Sequence, residues 1–251
     1  MSSDLLIASS AELYGKGIFT TIAIRAGTPL FWDKHWARLT RDSALVGVDL
    51  SAHPETLVLR ELRDAIKLSG MTNGRARITF HDLRPGGIWP GTTNVDTKMS
   101  IIIAETRGPI GKFSVTVSPY RVNTYSPLVG VKSCNYLDNI LGLEEARGRG
   151  FDEGIRINNE GAMTGGCVSN IYWLKGGVLF TPMLSTGCLR GTMREHILEN
   201  LQCHEVAMPI DTLIAVEAIF FSSAGLGVIQ AGDLDDRTFE PVNHPILHLV
   251  P

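Results

Sequence analysis

Apolar and polar positions alternate over short runs and recur at helical spacing in a few longer ones, so the chain predicts many strands and few helices. Residues 17–24, Gly-Ile-Phe-Thr-Thr-Ile-Ala-Ile, read as an apolar strand closed by a turn at Gly27-Thr28-Pro29. Asp33 is placed as the cap of a helix carrying His35, Trp36, Arg38 and Leu39, with Trp36 and Leu39 toward the core and Arg38 off that line. Pro54 opens the next helix, which shows Leu59, Leu62 and Ile66 on one face and stops at Gly70. Residues 75–80 form a strand, residues 81–91 a loop rich in Pro and Gly, and residues 99–104 a buried strand.

The second half opens with the alternating run Phe113-Ser114-Val115-Thr116-Val117. A Gly-containing turn at Gly130 then leads past Lys132 into an amphipathic helix, with Leu137, Ile140, Leu141 and Glu144 on one stripe, ending near Gly148 and Gly150. Strands follow at residues 153–157, 168–174 and 178–181, then a helix at residues 191–201 with Met193, Ile197 and Leu201 at spacing four. Short strands at residues 205–208, 219–222 and 228–231 complete the pattern. The expected fold is α+β in two domains: a small N-terminal α/β lobe (residues 1–107), a link (108–112) and a larger, mainly β lobe (113–251).

At 251 residues, 44% apolar and 20% charged, the chain can bury a large core. Its formal charge of −3 gives no general attraction to nucleic acid or to anionic membranes. No apolar run approaches a membrane span, and no leader peptide is visible at Met1-Ser2-Ser3-Asp4. Cys134, Cys167, Cys188 and Cys203 have no CxxC spacing, which fits reduced thiols in the cytoplasm. The seven histidines are scattered without ligand spacing, so no metal site is expected. Dinucleotide, P-loop, HExxH and GxSxG signatures are missing.

Four separated stretches make sense together for a phosphorylated aldehyde. Lys132, near the positive end of a helix, should lose its proton more easily than a surface lysine, as chemistry with a carbonyl cofactor requires. Arg38 carries a fork suited to phosphate. Residues 189–194, Leu-Arg-Gly-Thr-Met-Arg, offer backbone N–H groups and the Thr192 hydroxyl at a helix start. Residues 221–227 run from a strand end into a turn of small residues whose backbone can approach an anion.

With these stretches in place, the chain resembles the class IV pyridoxal 5'-phosphate (PLP) enzymes of fold type IV. That family includes branched-chain aminotransferases, D-amino acid aminotransferases and aminodeoxychorismate lyases. The resemblance is carried by Gly17-Ile18-Phe19-Thr20-Thr21, His35-Trp36-Ala37-Arg38-Leu39, Lys132-Ser133-Cys134-Asn135-Tyr136-Leu137, Thr164-Gly165-Gly166-Cys167-Val168-Ser169-Asn170, Phe180-Thr181-Pro182 and Gly191-Thr192-Met193-Arg194. It implies that Lys132 forms an imine with PLP and later shuttles the substrate proton. Arg38, Thr192, Met193, Ser223 and Ala224 are implied phosphate contacts, with Tyr136 near the cofactor's phenolic oxygen. Arg84 and Thr20 are implied substrate contacts, and Thr21 or Lys132 the group that protonates the departing side. A homodimer is implied as well.

Two departures bear on the chemistry. Relatives usually carry a glutamate facing the pyridine nitrogen where this chain has Gly165, and a carboxylate there strengthens the cofactor as an electron sink. The N-terminal strand before the Gly-x-Phe motif is short. A weaker sink should harm transamination more than elimination. The Phe19-Thr20-Thr21 triplet also resembles the lyases, because aminotransferases more often have glutamate at the Thr20 position. The resemblance therefore implies an aminodeoxychorismate lyase, making 4-aminobenzoate and pyruvate for folate synthesis. The alternatives are an aminotransferase for D-amino or branched-chain amino acids, or a PLP-fold protein with reduced catalysis.

Overall fold

A computed structural model describes residues 9–84, 96–106 and 111–249. The chain divides into two units: Met1–Glu105 with Lys132–Tyr136, and Thr106–Val131 with Leu137–Pro251. The link expected at residues 108–112 lies outside the described residues except for Gly111 and Lys112.

The first unit runs α1 (Ser10–Tyr14), β1 (Gly17–Arg25), β2 (Thr28–Pro29), α2 (Trp32–Val46), α3 (Glu55–Ser69), β3 (Gly74–Asp82) and β4 (Thr97–Ala104). Its strands form one antiparallel sheet in the order β2-β1-β3-β4. The register pairs Ile18 with Phe80, Thr20 with Ile78 and Ile22 with Ala76, so these residues share one face. That face and the inner sides of α2 and α3 make one core of Ile18, Ile22, Ile24, Ile78, Phe80, Leu39, Val58, Leu62 and Ile66. Each such side chain contributes roughly 1.5–3 kcal/mol by leaving water, so alternation in β1 and β3 dictates which face turns inward. Gly70 ends α3 in the left-handed region at φ +67°, as the sequence predicts.

Two expectations here are corrected. The residue at the cap of α2 is Phe31, at φ +53°, and Asp33 lies inside the first turn. The β1–β2 hairpin delivers the chain straight into the helix, which leaves no extended residue for a side-chain cap. β4 is an edge strand buried on one side only: Met99, Ile101 and Ile103 pack on the core, while Ile102 is exposed.

The second unit holds β5 (Ser114–Val122), α4 (Leu137–Gly148), β6 (Glu153–Asn158), β7 (Met163–Gly166), β8 (Asn170–Lys175), β9 (Val178–Pro182), α5 (Thr192–Asn200), β10 (Cys203–Val206), β11 (Ala218–Ser223), β12 (Gly227–Gln230), β13 (Asp233–Leu234) and β14 (Arg237–Thr238). The strands form two five-stranded sheets, β10-β9-β8-β11-β12 and β14-β13-β5-β6-β7. Val115, Ile155, Met163, Ile171, Trp173, Ile219 and Phe221 are among the residues of its core.

The apolar stripe of α4 is on the outside: Leu137, Ile140 and Leu141 are exposed, while Gly142, Leu143 and Ala146 are buried. Small residues decide this. A Cβ on Gly142 would stand 2.9 Å from Cys167 Sγ and 3.3 Å from Ser118 Oγ, so only the Gly142–Ala146 side can approach β5 and β6 this closely.

Candidate active site

The segment carrying Lys132 belongs to the first unit and is extended rather than helical. Phe19 N–H donates to Lys132 O at 3.0 Å, Cys134 N–H donates to Gly17 O at 2.8 Å, and Ser133 bridges Ile18 in antiparallel fashion. The segment thus lengthens the β1 edge, and α4 begins only at Leu137. A further anchor comes from α2, where Asp42 Oδ2 accepts the Lys132 backbone N–H at 3.0 Å. Alternation puts Lys132 on the face of Phe19, Thr21 and Arg77, opposite the hydrophobic core.

On that face the Lys132 Nζ lies 4.5 Å from the Phe19 ring centroid and 4.6 Å from that of Tyr136. It donates to Tyr136 Oη at 3.4 Å. The Phe19 and Tyr136 rings meet edge to face at 5.1 Å, and the Arg77 guanidinium sits 3.6 Å over Phe19. Lys132 is held well below the usual lysine range, first by burial, then by the charges of Arg38 and Arg77, with Asp42 opposing. The sequence argument expected an easily lost proton and ascribed it to a helix end. The structure corrects the cause: the amine is buried against aromatic rings and opposed by the charges of Arg38 and Arg77.

Arg38 is buried on α2 and its Nη2 donates to Thr20 Oγ1 at 2.6 Å. The Thr20 hydroxyl also meets His35 Nδ1 at 2.6 Å. Thr20 therefore points to the helix side of the sheet, away from the face that carries Lys132, while Thr21 is half-buried on the Lys132 face beside Arg77. Arg84 is engaged by Asp82, its Nε at 2.8 Å from Oδ1 and 2.9 Å from Oδ2, and Lys16 adds a second ion pair at 3.1 Å. Burial raises the Asp82 carboxyl, but its bonds with Arg84 and Lys16 outweigh that and carry it down to about 2. The Arg84 charge is thus already matched by the Asp82 carboxylate at the end of β3.

In the second unit the strand expected at residues 168–174 begins only at Asn170, after a loop, Cys167-Val168-Ser169, built around Glu153. The buried Glu153 carboxylate accepts from Gly154 N–H at 3.0 Å, Cys167 N–H at 2.8 Å, Val168 N–H at 3.3 Å and Ser169 Oγ at 2.8 Å. Burial pushes its pKa up, against these four donors. An amide has only one acceptor oxygen where the carboxylate has two. Glu153→Gln should therefore cost about 1–3 kcal/mol of unfolding free energy, read as a lower urea midpoint at unchanged slope.

Gly165 lies on β7 opposite Arg156, and a Cβ there would stand 2.9 Å from Ser169 O. A glutamate side chain at that position would need the Glu153-held loop to move. Thr192 and Met193 are buried in the first turn of α5, whose cap is Gly191. Asn170 Nδ2 donates to Leu189 O at 2.8 Å, and a Cβ on Gly191 would fall 2.0 Å from Asn170 Oδ1, so this helix start accepts only glycine. Ser223 ends β11 and its Oγ accepts from Leu226 N–H at 3.1 Å, shaping a half-buried turn that includes Ala224.

These donor sets suit a phosphorylated aldehyde coenzyme. The first unit offers a buried primary amine whose charged form is disfavoured and a buried arginine; the second offers the helix start Gly191-Thr192-Met193. The sequence argument missed Asp42, Arg77, His35 and Glu153. A signal existed for Asp42, one helical turn beyond Arg38, and for Arg77, on the polar side of an alternating strand. Among the described residues no group of three His, Cys, Asp or Glu could hold a metal ion, and no helix is long and apolar enough to cross a membrane.

An α+β fold in two units with a buried lysine on a sheet edge defines a class, and the chain belongs to it: residues 17–232 match the amino-transferase class IV family. The chain is 27% identical over 237 residues to the aminodeoxychorismate lyase of Bacillus subtilis, covering 90% of this chain and 80% of that protein. Its fold is similar to that of the branched-chain amino acid aminotransferase of Escherichia coli, with a TM-score of 0.87, 20% identity and coverage of 98% of this chain and 87% of the other. It is also similar to that of 4-amino-4-deoxychorismate lyase from Pseudomonas aeruginosa, with a TM-score of 0.82, 21% identity and coverage of 99% and 94%. At these identities the two structures speak for the fold, which is fold type IV.

Proposed function

We propose that this class IV enzyme is a PLP-dependent lyase that converts 4-amino-4-deoxychorismate to 4-aminobenzoate and pyruvate. The observation that carries the reading is Lys132: a buried amine, biased toward its neutral form, fixed at its backbone by Asp42 and at its tip by Tyr136. PLP, when bound, withdraws electrons from the carbon bearing the substrate amine and so acidifies its proton. Lys132 Nζ takes that proton. The ring carbon–oxygen bond to the side chain then breaks, enolpyruvate leaves and is protonated to pyruvate, and the ring becomes aromatic with no net oxidation. The Thr21 hydroxyl, on the Lys132 face, or Lys132 itself supplies the proton to the departing side.

Arg38 is the proposed phosphate ligand in the first unit. Thr192, Met193, Ser223 and Ala224 are proposed phosphate contacts by resemblance. Arg77, a cation on the Lys132 face, is better placed than the neutralised Arg84 to meet a substrate carboxylate. Gly165 favours elimination over transamination: without a carboxylate at that position electron withdrawal is weaker, and aromatisation supplies driving force of its own. The B. subtilis relative supports the same choice.

The test is a pair of product assays on purified protein with PLP. Pyruvate release from 4-amino-4-deoxychorismate with no oxo acid present supports the lyase. Glutamate formed from 2-oxoglutarate and a D-amino or branched-chain amino acid, without pyruvate release, replaces it with an aminotransferase. A PLP absorption band with neither product indicates a PLP-fold protein with reduced catalysis.

A further inference from the structure

Thr20 has no exposed surface, and among the described residues its hydroxyl makes two hydrogen bonds, both at 2.6 Å, with Arg38 Nη2 and His35 Nδ1. The chemistry of the groups fixes the first direction, and the need of a buried hydroxyl for an acceptor favours one direction for the second. A guanidinium has no acceptor, so Arg38 donates to Thr20 Oγ1. The hydroxyl keeps one proton of its own, and the nitrogen of His35 is the acceptor that faces it. With the hydroxyl donating, Nδ1 is bare, the ring proton is on Nε2 and the imidazole is neutral. The surroundings agree: His35 is wholly buried and held well below the usual histidine range, first by burial, then by Arg38 and Lys132.

A hydroxyl in this position does what a carboxylate could not. It holds the guanidinium by a hydrogen bond without adding a negative charge beside it. The three residues belong to two elements of one unit, β1 and α2, so the bond also ties the helix to the strand that Lys132 extends.

We propose that Thr20 and His35 are positioning residues for Arg38: neutral His35 accepts a hydrogen bond from the Thr20 hydroxyl, which turns the Thr20 oxygen's lone pair toward Arg38 and sets its fork for the coenzyme phosphate. This assigns Thr20 a place behind the coenzyme rather than against substrate, and it rests on the proposed role of Arg38. The experiment has two arms. In the first, nitrogen-15 NMR of the histidines in the full chain should show His35 with an unprotonated Nδ1 and no change between pH 6 and 9. A protonated Nδ1 overturns the proposal, and this arm needs no variant and no coenzyme, so it decides the matter even where a substitution does not fold. In the second, PLP is titrated into wild-type protein, Thr20→Val and Thr20→Ser. Thr20→Val keeps the volume and loses the hydroxyl; its dissociation constant should rise about tenfold, with Thr20→Ser returning to within about threefold of wild type. Equal affinity of Thr20→Val and wild type overturns the proposal. A wild-type chain that takes up no PLP overturns the proposed function, while the tautomer of His35 still tests the hydrogen-bond direction.

Discussion

Replacing Lys132 with methionine should abolish turnover, by on the order of 10⁴-fold or more, and stabilise the coenzyme-free protein at the same time. Both effects come from one cause. The amine is buried against Phe19 and Tyr136 and feels the charges of Arg38 and Arg77, an environment that penalises its charged form. In the folded chain its pKa is depressed; in the unfolded chain it returns to about 10.4. Between those two values the unfolded state binds more protons, so stability rises with pH across that window. The penalty is full below the folded pKa and gone above the unfolded one. Methionine fills a similar volume and carries no charge, so at neutral pH Lys132→Met should gain about 1–2 kcal/mol, roughly 2–8 °C in Tm for a chain of this size. The gap between variant and native protein should narrow as the pH is raised from 7.5 to 9.5. Thermal unfolding of the two coenzyme-free proteins across that range measures it. Borohydride treatment in the presence of PLP should fix label on Lys132 in the native chain and nowhere in the variant. A variant less stable than the native protein at every pH would remove the claim that burial and neighbouring cations set the state of this amine.

What was legible in the sequence follows from which interactions are local. β1, α3 and the first turn of α5 were readable because period-two alternation, spacing of four and a glycine at a helix end are patterns within one segment. Lys132, Arg38 and residues 191–193 stand out as candidates for the same reason, since each carries its own residue signature. The setting of Lys132 was not. The segment looks like the lead-in to α4, yet its backbone pairs with Gly17 and Phe19, more than a hundred positions earlier, and no local pattern reports a partner at that distance. The α4 stripe failed through a related limit. Periodicity counts apolar residues, but Gly142 and Ala146 are inside because of what they lack, which lets Cys167 and Ser118 come close. The resemblance implies Thr20 as a substrate contact, but a one-residue step along a strand reverses the face, and the register with Ile78 puts Thr21, not Thr20, on the face of Lys132. Glu153 was read as a strand residue, although its carboxylate organises the loop that follows Gly165.

The second large effect concerns Arg38, and here two substitutions separate two roles of one side chain. Arg38→Ala removes the fork proposed to bind phosphate. Charge-assisted hydrogen bonds contribute about 1.5–3 kcal/mol each, so the dissociation constant for PLP should rise roughly 10²-fold. It also removes the charge that, after burial, does most to depress Lys132. The Lys132 amine should then hold its proton to higher pH, and attack on an aldehyde needs the bare amine. The rate of PLP uptake should therefore fall off at a higher pH in Arg38→Ala than in the native chain. Arg38→Lys restores the charge without the fork. It should bring the acid limb of the uptake rate back toward the native position while leaving affinity reduced by about tenfold. Stopped-flow absorbance of PLP uptake from pH 6 to 9 reads both quantities from one data set. If Arg38→Lys repairs affinity and leaves the pH limb displaced, the fork is dispensable and Arg38 is not the charge that governs Lys132. If both variants match the native protein in both quantities, Arg38 is a buried structural arginine and the phosphate is held elsewhere.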